Sequence, residues 1–186
     1  MEYYELNFFG LSRKLPITYL SATKRVANFS IIGDIEFTEK AGEELEKVLR
    51  QRQLIPDCFV GPGISAASFV HHLAKRFGHK RYVILRKSIR GYMVTPEIQS
   101  PWRSAPKHTK KLVLNGFDRE FLKGKTVVLV DTVVSTGVTM EMLHELVSKI
   151  GSKPIAKCAI FLQGDDYKAD LMYLAKLPII EVNKVK

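Results

Sequence analysis

Three observations predict an α/β fold, a parallel-sheet core flanked by helices. First, Val127-Val128-Leu129-Val130 is a continuous β-branched and apolar run, the composition of a strand covered on both faces. Second, strand-like runs alternate with segments whose apolar residues recur three and four apart, the pattern of βαβ units with right-handed crossovers. Third, several of those strands lead into turns of glycine and small hydroxyl residues that open the next helix. At 186 residues the chain is expected to form one domain, 1–186, large enough to bury a core without staples.

Composition bounds the class. A hydrophobic content of 46% with 26% charged residues is that of an ordinary soluble domain. The net charge of +10 points to an anionic partner, a polyphosphate, nucleic acid or acidic surface, although much of it belongs on a solvated surface. Cys58 and Cys158 each lie inside an apolar run and read as small core residues; metal-type Cys/His spacing is absent. No signal peptide or apolar stretch of spanning length is found, so no membrane association and a cytoplasmic location are expected.

Taken in order, residues 1–35 are the most aromatic part of the chain, with Tyr3, Tyr4, Phe8, Phe9, Tyr19 and Phe29 ahead of the turn signal Ile31-Ile32-Gly33-Asp34. They read either as a strand pair covering the core or as a lid whose rings stack on a planar ligand. Thr38 precedes a helical stripe of Ala41, Leu45, Val48 and Leu49, closed by Pro56. Cys58-Phe59-Val60 reads as a buried strand. The small-residue run Gly61-Pro62-Gly63-Ile64-Ser65-Ala66-Ala67-Ser68 then opens a helix through Phe69, Leu73 and Phe77, either as a ligand turn or as a plain connection. Tyr82 to Leu85 reads as a third strand, ending in Arg86-Lys87, two cations where open α/β sheets bind ligands.

Residues 88–110 carry three prolines, Gly91 and the only Trp without apolar periodicity, so a long flexible loop is expected. Glu97 is its only carboxylate and His108 its only imidazole. Lys111 to Leu114 reads as a strand and Asn115-Gly116 as a tight turn. After the central strand come Asp131 and Ser135-Thr136-Gly137-Val138-Thr139, backbone N–H groups and hydroxyls at a helix N-terminus, which favour a phosphate. Met140, Leu143, Leu146, Val147 and Ile150 form the helical stripe, closed by Gly151. The last strands are Ile155 to Leu162 and Ile179 to Val182, separated by Gly164-Asp165-Asp166-Tyr167 and a short helical piece.

The turns at 62–68, 86–90 and 131–139 would open at one sheet edge and surround a ligand with phosphates at two positions. At this point VVLVDTVVSTGVT resembles the 5-phosphoribosyl-1-pyrophosphate (PRPP) motif of type I phosphoribosyltransferases, GPGISAASF resembles their pyrophosphate loop, and 88–110 their flexible catalytic loop. Among branches the chain looks most like the adenine enzymes. The resemblance implies the type I phosphoribosyltransferase fold, with 1–35 and about 165–186 contributing a hood or edge. It implies transfer of phosphoribosyl from PRPP to a purine, with adenine favoured because Ser135 stands where hypoxanthine-guanine enzymes carry an Asp. Mg²⁺ would arrive through PRPP, without a direct protein ligand, and a homodimer is implied.

By the same resemblance, Asp131 would hold the ribose, with Thr132, Val133, Val134, Ser135, Thr136, Gly137, Val138 and Thr139 around the ribose and 5-phosphate. Gly63, Ile64, Ser65, Ala66, Arg86 and Lys87 would hold pyrophosphate, and Glu97 is a displaced candidate for the catalytic loop acid. Thr132 stands where the family has a second acid, Val138 where a Gly is common, and Ala67 or Ser68 where adenine enzymes place an Arg. Two further readings are a transferase for another base (xanthine, guanine, hypoxanthine or a pyrimidine) and a catalytically weak PRPP-binding regulator. No nucleic-acid-binding module is recognisable, so nucleic acid is not the expected partner.

Overall fold

A computed structural model describes residues 1–107 and 109–182; His108, the loop imidazole, lies outside the described residues. The chain opens with three antiparallel strands, β1 (Tyr3–Phe8), β2 (Leu11–Tyr19) and β3 (Lys24–Ala27), followed by helix α1 (Ile35–Gln51). Strand β4 (Cys58–Pro62), helix α2 (Ala67–Arg76) and strand β5 (Val83–Leu85) come next, then the short pair β6 (Glu97–Gln99) and β7 (Leu112–Leu114). Helix α3 (Gly116–Leu122) leads to β8 (Thr126–Val134), α4 (Val138–Lys149), β9 (Lys153–Gln163), β10 (Met172–Leu177) and β11 (Ile179–Glu181).

The central sheet has the order β10-β9-β8-β4-β5, with every neighbour parallel. The C-terminal ends of β4, β5 and β8 therefore reach one edge of the sheet. Phe37, Leu45, Phe69 and Leu73 of α1 and α2 pack on Phe59, Val128, Val130 and Ile160 on one face. Leu122, Met142, Leu143 and Leu146 of α3 and α4 pack on Cys58, Val60, Val127 and Leu129 on the other. Both faces of β8 are thus covered, which is why its apolar residues run without alternation. Each such side chain contributes ~1.5–3 kcal/mol by leaving water.

Strands β1-β2-β3-β11 form a second, antiparallel sheet, the hood, while β6 and β7 pair with each other. Phe8 stacks on Phe37 at 4.6 Å and meets Phe161 edge-on at 5.5 Å; Phe29 contacts the same two rings at 4.9 and 4.8 Å. These two aromatics join hood to core, the covering role, and are not free to stack on a ligand. Polar contacts reinforce the junction. Arg13 of β2 donates to both carboxylate oxygens of Asp34, at 2.7 and 3.1 Å, and holds that group below the usual carboxylate range. Asp34 in turn accepts from the Phe37 N–H at 3.0 Å, so the first helix starts at Ile35 and Thr38 lies inside its first turn.

Three expectations about elements need correction. Residues 88–110 are not irregular throughout, since Glu97–Gln99 pairs antiparallel with Leu112–Leu114. Asn115-Gly116 is the start of α3 and not a hairpin turn: Asn115 Oδ1 accepts from the Val94 N–H at 3.0 Å. Gly116 is required there because a Cβ would fall 2.3 Å from the Val94 carbonyl oxygen. Seven residues are too few to show helical periodicity in sequence. Finally, the helical piece expected after Tyr167 is the edge strand β10, parallel to β9, where pairing to a neighbour decided what local pattern did not.

Candidate active site

Strand β8 continues beyond its apolar run, so Asp131, Thr132, Val133 and Val134 are all strand residues. Asp131 is 9% exposed, and its Oδ1 accepts the Thr132 N–H at 2.7 Å. Burial pushes its carboxyl up to about 7, against the opposing pull of the Thr132 N–H and the Lys87 ammonium. Beyond it, Gly137 takes a left-handed turn (φ +78°) and α4 begins at Val138 with no side-chain cap. An uncapped helix start presents N–H groups with a positive dipole end. Asp131, Ser135 to Thr139 and Lys87 line a cavity of about 200 Å³, which Thr109 and Lys110 close from the loop side.

A second cavity, about 330 Å³, lies at the ends of β4 and β5. Gly63, Ile64 and Ser65 form one wall, Arg86, Lys87 and Arg90 the other, and among the described residues no carboxylate lines it. Lys87 lines both cavities, so the two share a cation beside a buried acid. The sequence model of one family, the phosphoribosyl transferase domain, matches residues 30–185. The chain belongs to that family.

Solved members share its phosphoribosyltransferase fold. Adenine phosphoribosyltransferase from Thermoanaerobacter pseudethanolicus superposes with a TM-score of 0.63 at 22% identity, covering 78% of this chain and 84% of that one. The Rhodothermus marinus enzyme gives 0.65 at 18% identity, covering 94% of both chains. The Saccharomyces cerevisiae enzyme, solved with an imino-altritol bisphosphate and adenine, gives 0.65 at 15% identity, covering 92% of this chain and 93% of that one. No curated protein matches the chain significantly in sequence.

Within this phosphoribosyltransferase, Gly63, Ile64, Ser65, Arg86 and Lys87 line the second cavity, and Asp131 and Val133 to Thr139 line the first together with Lys87. Ala66 and Thr132 do not line either cavity: the Ala66 methyl is in the core beneath its turn, and Thr132 is buried. Glu97 is held elsewhere, with Oε1 accepting from Arg119 at 2.9 Å and Oε2 lying 3.8 Å from Lys149. The sequence placed 86–90 and 88–110 around the ligand as segments without singling out Ser88, Arg90, Thr109 or Lys110, and it missed Leu112 and Met140 as cavity walls. The available signal was charge: residues 86–111 hold many cations against the single acid Glu97.

Gly137 supplies one stability test. A Cβ there would fall 2.0 Å from the Tyr167 ring, on backbone that disfavours side chains. Gly137→Ala is expected to lower stability by about 2 kcal/mol or more, read as a denaturant midpoint shift at constant m-value.

Proposed function

We propose that the protein transfers the 5-phosphoribosyl group from PRPP to a purine base, with adenine as the acceptor, releasing pyrophosphate. The observation that carries this reading is the pair of cationic cavities meeting at Lys87 beside Asp131. A ligand with one phosphate at the ribose 5-position and two at the anomeric carbon matches two anion sites flanking a hydroxyl acceptor. Backbone groups of Ser135 to Thr139 take the 5-phosphate. Gly63 to Ala66, through backbone, with Arg86 and Lys87, take the pyrophosphate; Asp131, as carboxylate, accepts from ribose hydroxyls.

In the transfer, the bond from the anomeric carbon to pyrophosphate breaks, a bond to a purine nitrogen forms, and the proton that nitrogen gives up passes to water or to the departing pyrophosphate. Charge develops on the leaving pyrophosphate, where Arg86 and Lys87 stabilise it. Among the described residues no group of three or more His, Cys, Asp or Glu is arranged to hold a metal. In this reading Mg²⁺ would arrive on PRPP, keeping several waters and binding through the substrate's phosphates. The ion would supply charge neutralisation on pyrophosphate, while Asp131 accepts from the ribose hydroxyls.

Adenine rests on Ser135, which leaves the turn without an acid to serve a ring nitrogen, and on the adenine enzymes that share the fold. Among the described residues no helix is long and apolar enough to cross a membrane; a cytoplasmic homodimer of single-domain chains is what the family resemblance implies and what we propose. A second reading, PRPP binding with weak transfer, is favoured by Thr132 at the second-acid position and by the ion pair that holds Glu97 on Arg119. Incubation with PRPP, Mg²⁺ and each of adenine, guanine, hypoxanthine, xanthine and the pyrimidines separates the two. AMP and pyrophosphate from adenine are expected; PRPP binding without product from any base would replace transfer by the second reading.

A further inference from the structure

Tyr167, in the connection between β9 and β10, reaches back to the anion-binding turn. Its ring lies over Gly137, at the position a Cβ would occupy. Its hydroxyl donates to Oε1 of Glu141 in the first turn of α4, and the Glu141 N–H donates to the Gly137 carbonyl at 2.9 Å. From β9, Lys157 Nζ donates to both Glu141 oxygens, at 2.7 and 2.8 Å. The ammonium is well shielded, with the Lys157 side chain 16% exposed.

This arrangement answers an electrostatic conflict. A carboxylate in a first helical turn suits the empty helix dipole, yet a sugar phosphate seated at that helix start brings ~1.5–2 negative charges. Burial alone would raise the Glu141 carboxyl, but the hydrogen bonds from Lys157 and Tyr167 outweigh it and hold the group below its ordinary value, hence ionised. The charge beside the anion site is real and needs its counter-ion. None of the three side chains lines either cavity.

We propose that Tyr167 and the Glu141–Lys157 pair are positioning residues for the phosphate turn: the ring fixes the left-handed Gly137, and Lys157 cancels the carboxylate that would otherwise repel the phosphate. The inference rests on the reading of that turn as the 5-phosphate site. Calorimetry with ribose 5-phosphate, alongside steady-state kinetics with PRPP, tests it on the full chain.

Lys157→Met is expected to weaken ribose 5-phosphate binding and raise the KM for PRPP about tenfold, leaving kcat within about threefold. Adding Glu141→Gln to it restores binding to within about threefold of wild type, because the unpaired carboxylate is gone. A pair that served folding alone would move the denaturation midpoint and leave ribose 5-phosphate binding and the KM for PRPP of the folded enzyme unchanged in the single and the double variant. Tyr167→Leu weakens binding about tenfold, whereas Tyr167→Phe, which keeps the ring, stays within about threefold. Should Tyr167→Leu fail to fold, the Lys157 single and double variants decide. A double variant no better than Lys157→Met, or Lys157→Met binding as wild type does, overturns the brace alone. Failure of the wild type to bind ribose 5-phosphate overturns the phosphate-turn reading and the brace with it.

Discussion

Asp131→Asn is expected to lower kcat/KM for PRPP by at least about 10²-fold while raising thermal stability at pH 8. The loss follows from chemistry: a carboxylate accepting from ribose hydroxyls makes charge-assisted bonds worth ~1.5–3 kcal/mol each. The gain follows from linkage. Burial raises the folded-state carboxyl to about 7, above its unfolded value, so its contribution to stability is full below about pH 4 and is lost as pH rises through about 7. A neutral amide escapes that loss and can still accept the Thr132 N–H. The two melting curves should coincide near pH 4 and separate by up to about 4 kcal/mol above pH 7, on the order of 10 °C in a chain of this size. Unchanged PRPP affinity would remove Asp131 from the site. An unchanged melting difference between pH 4 and 8 would remove the linkage argument. The same titration gives wild-type kcat/KM an acid limb near pH 7, since the free enzyme must carry the carboxylate.

Lys87→Met should be the other severe variant, because one ammonium serves both cavities. Losing a charged hydrogen bond to phosphate at ~1.5–3 kcal/mol lowers PRPP affinity roughly 10- to 150-fold. Pyrophosphate alone and ribose 5-phosphate alone should each bind more weakly as well, a double deficit that a residue of only one cavity would not produce. Lys87 also favours the ionised Asp131, so its removal shifts the acid limb of kcat/KM to higher pH. Normal ribose 5-phosphate binding in this variant would confine Lys87 to the pyrophosphate half.

The readable parts of the fold and site were those carried by local chemistry. A four-residue apolar run, a glycine-rich turn and a pair of cations at a strand end each state their own role, and β8, the Gly63 turn and Arg86-Lys87 stand where the pattern puts them. What was not legible depends on partners distant in sequence. Strand β10 is a strand because β9 pairs with it. Helix α3 is only seven residues long, and Gly116 at its start is required by the Val94 carbonyl, which nothing nearby in sequence announces. Lys110 becomes a cavity wall because β7 lies beside the end of β5, and Glu97 is withdrawn because Arg119 faces it. Nothing next to Tyr167 in sequence marks it, because its ring packs on Gly137, 30 residues earlier.

The pairing of β11 with β3, Ile179 against Val26, bears on how the molecule is made. About 150 residues separate the partners, and at roughly 5–20 residues per second the ribosome needs on the order of 10–30 s to deliver the second after the first. By then the chain for all five core strands has been synthesised. Until then β3 offers an open hydrogen-bonding edge to other nascent chains. The hood is therefore the element that finishes last during synthesis, and the interval before it closes is when the β3 edge is open to mispairing.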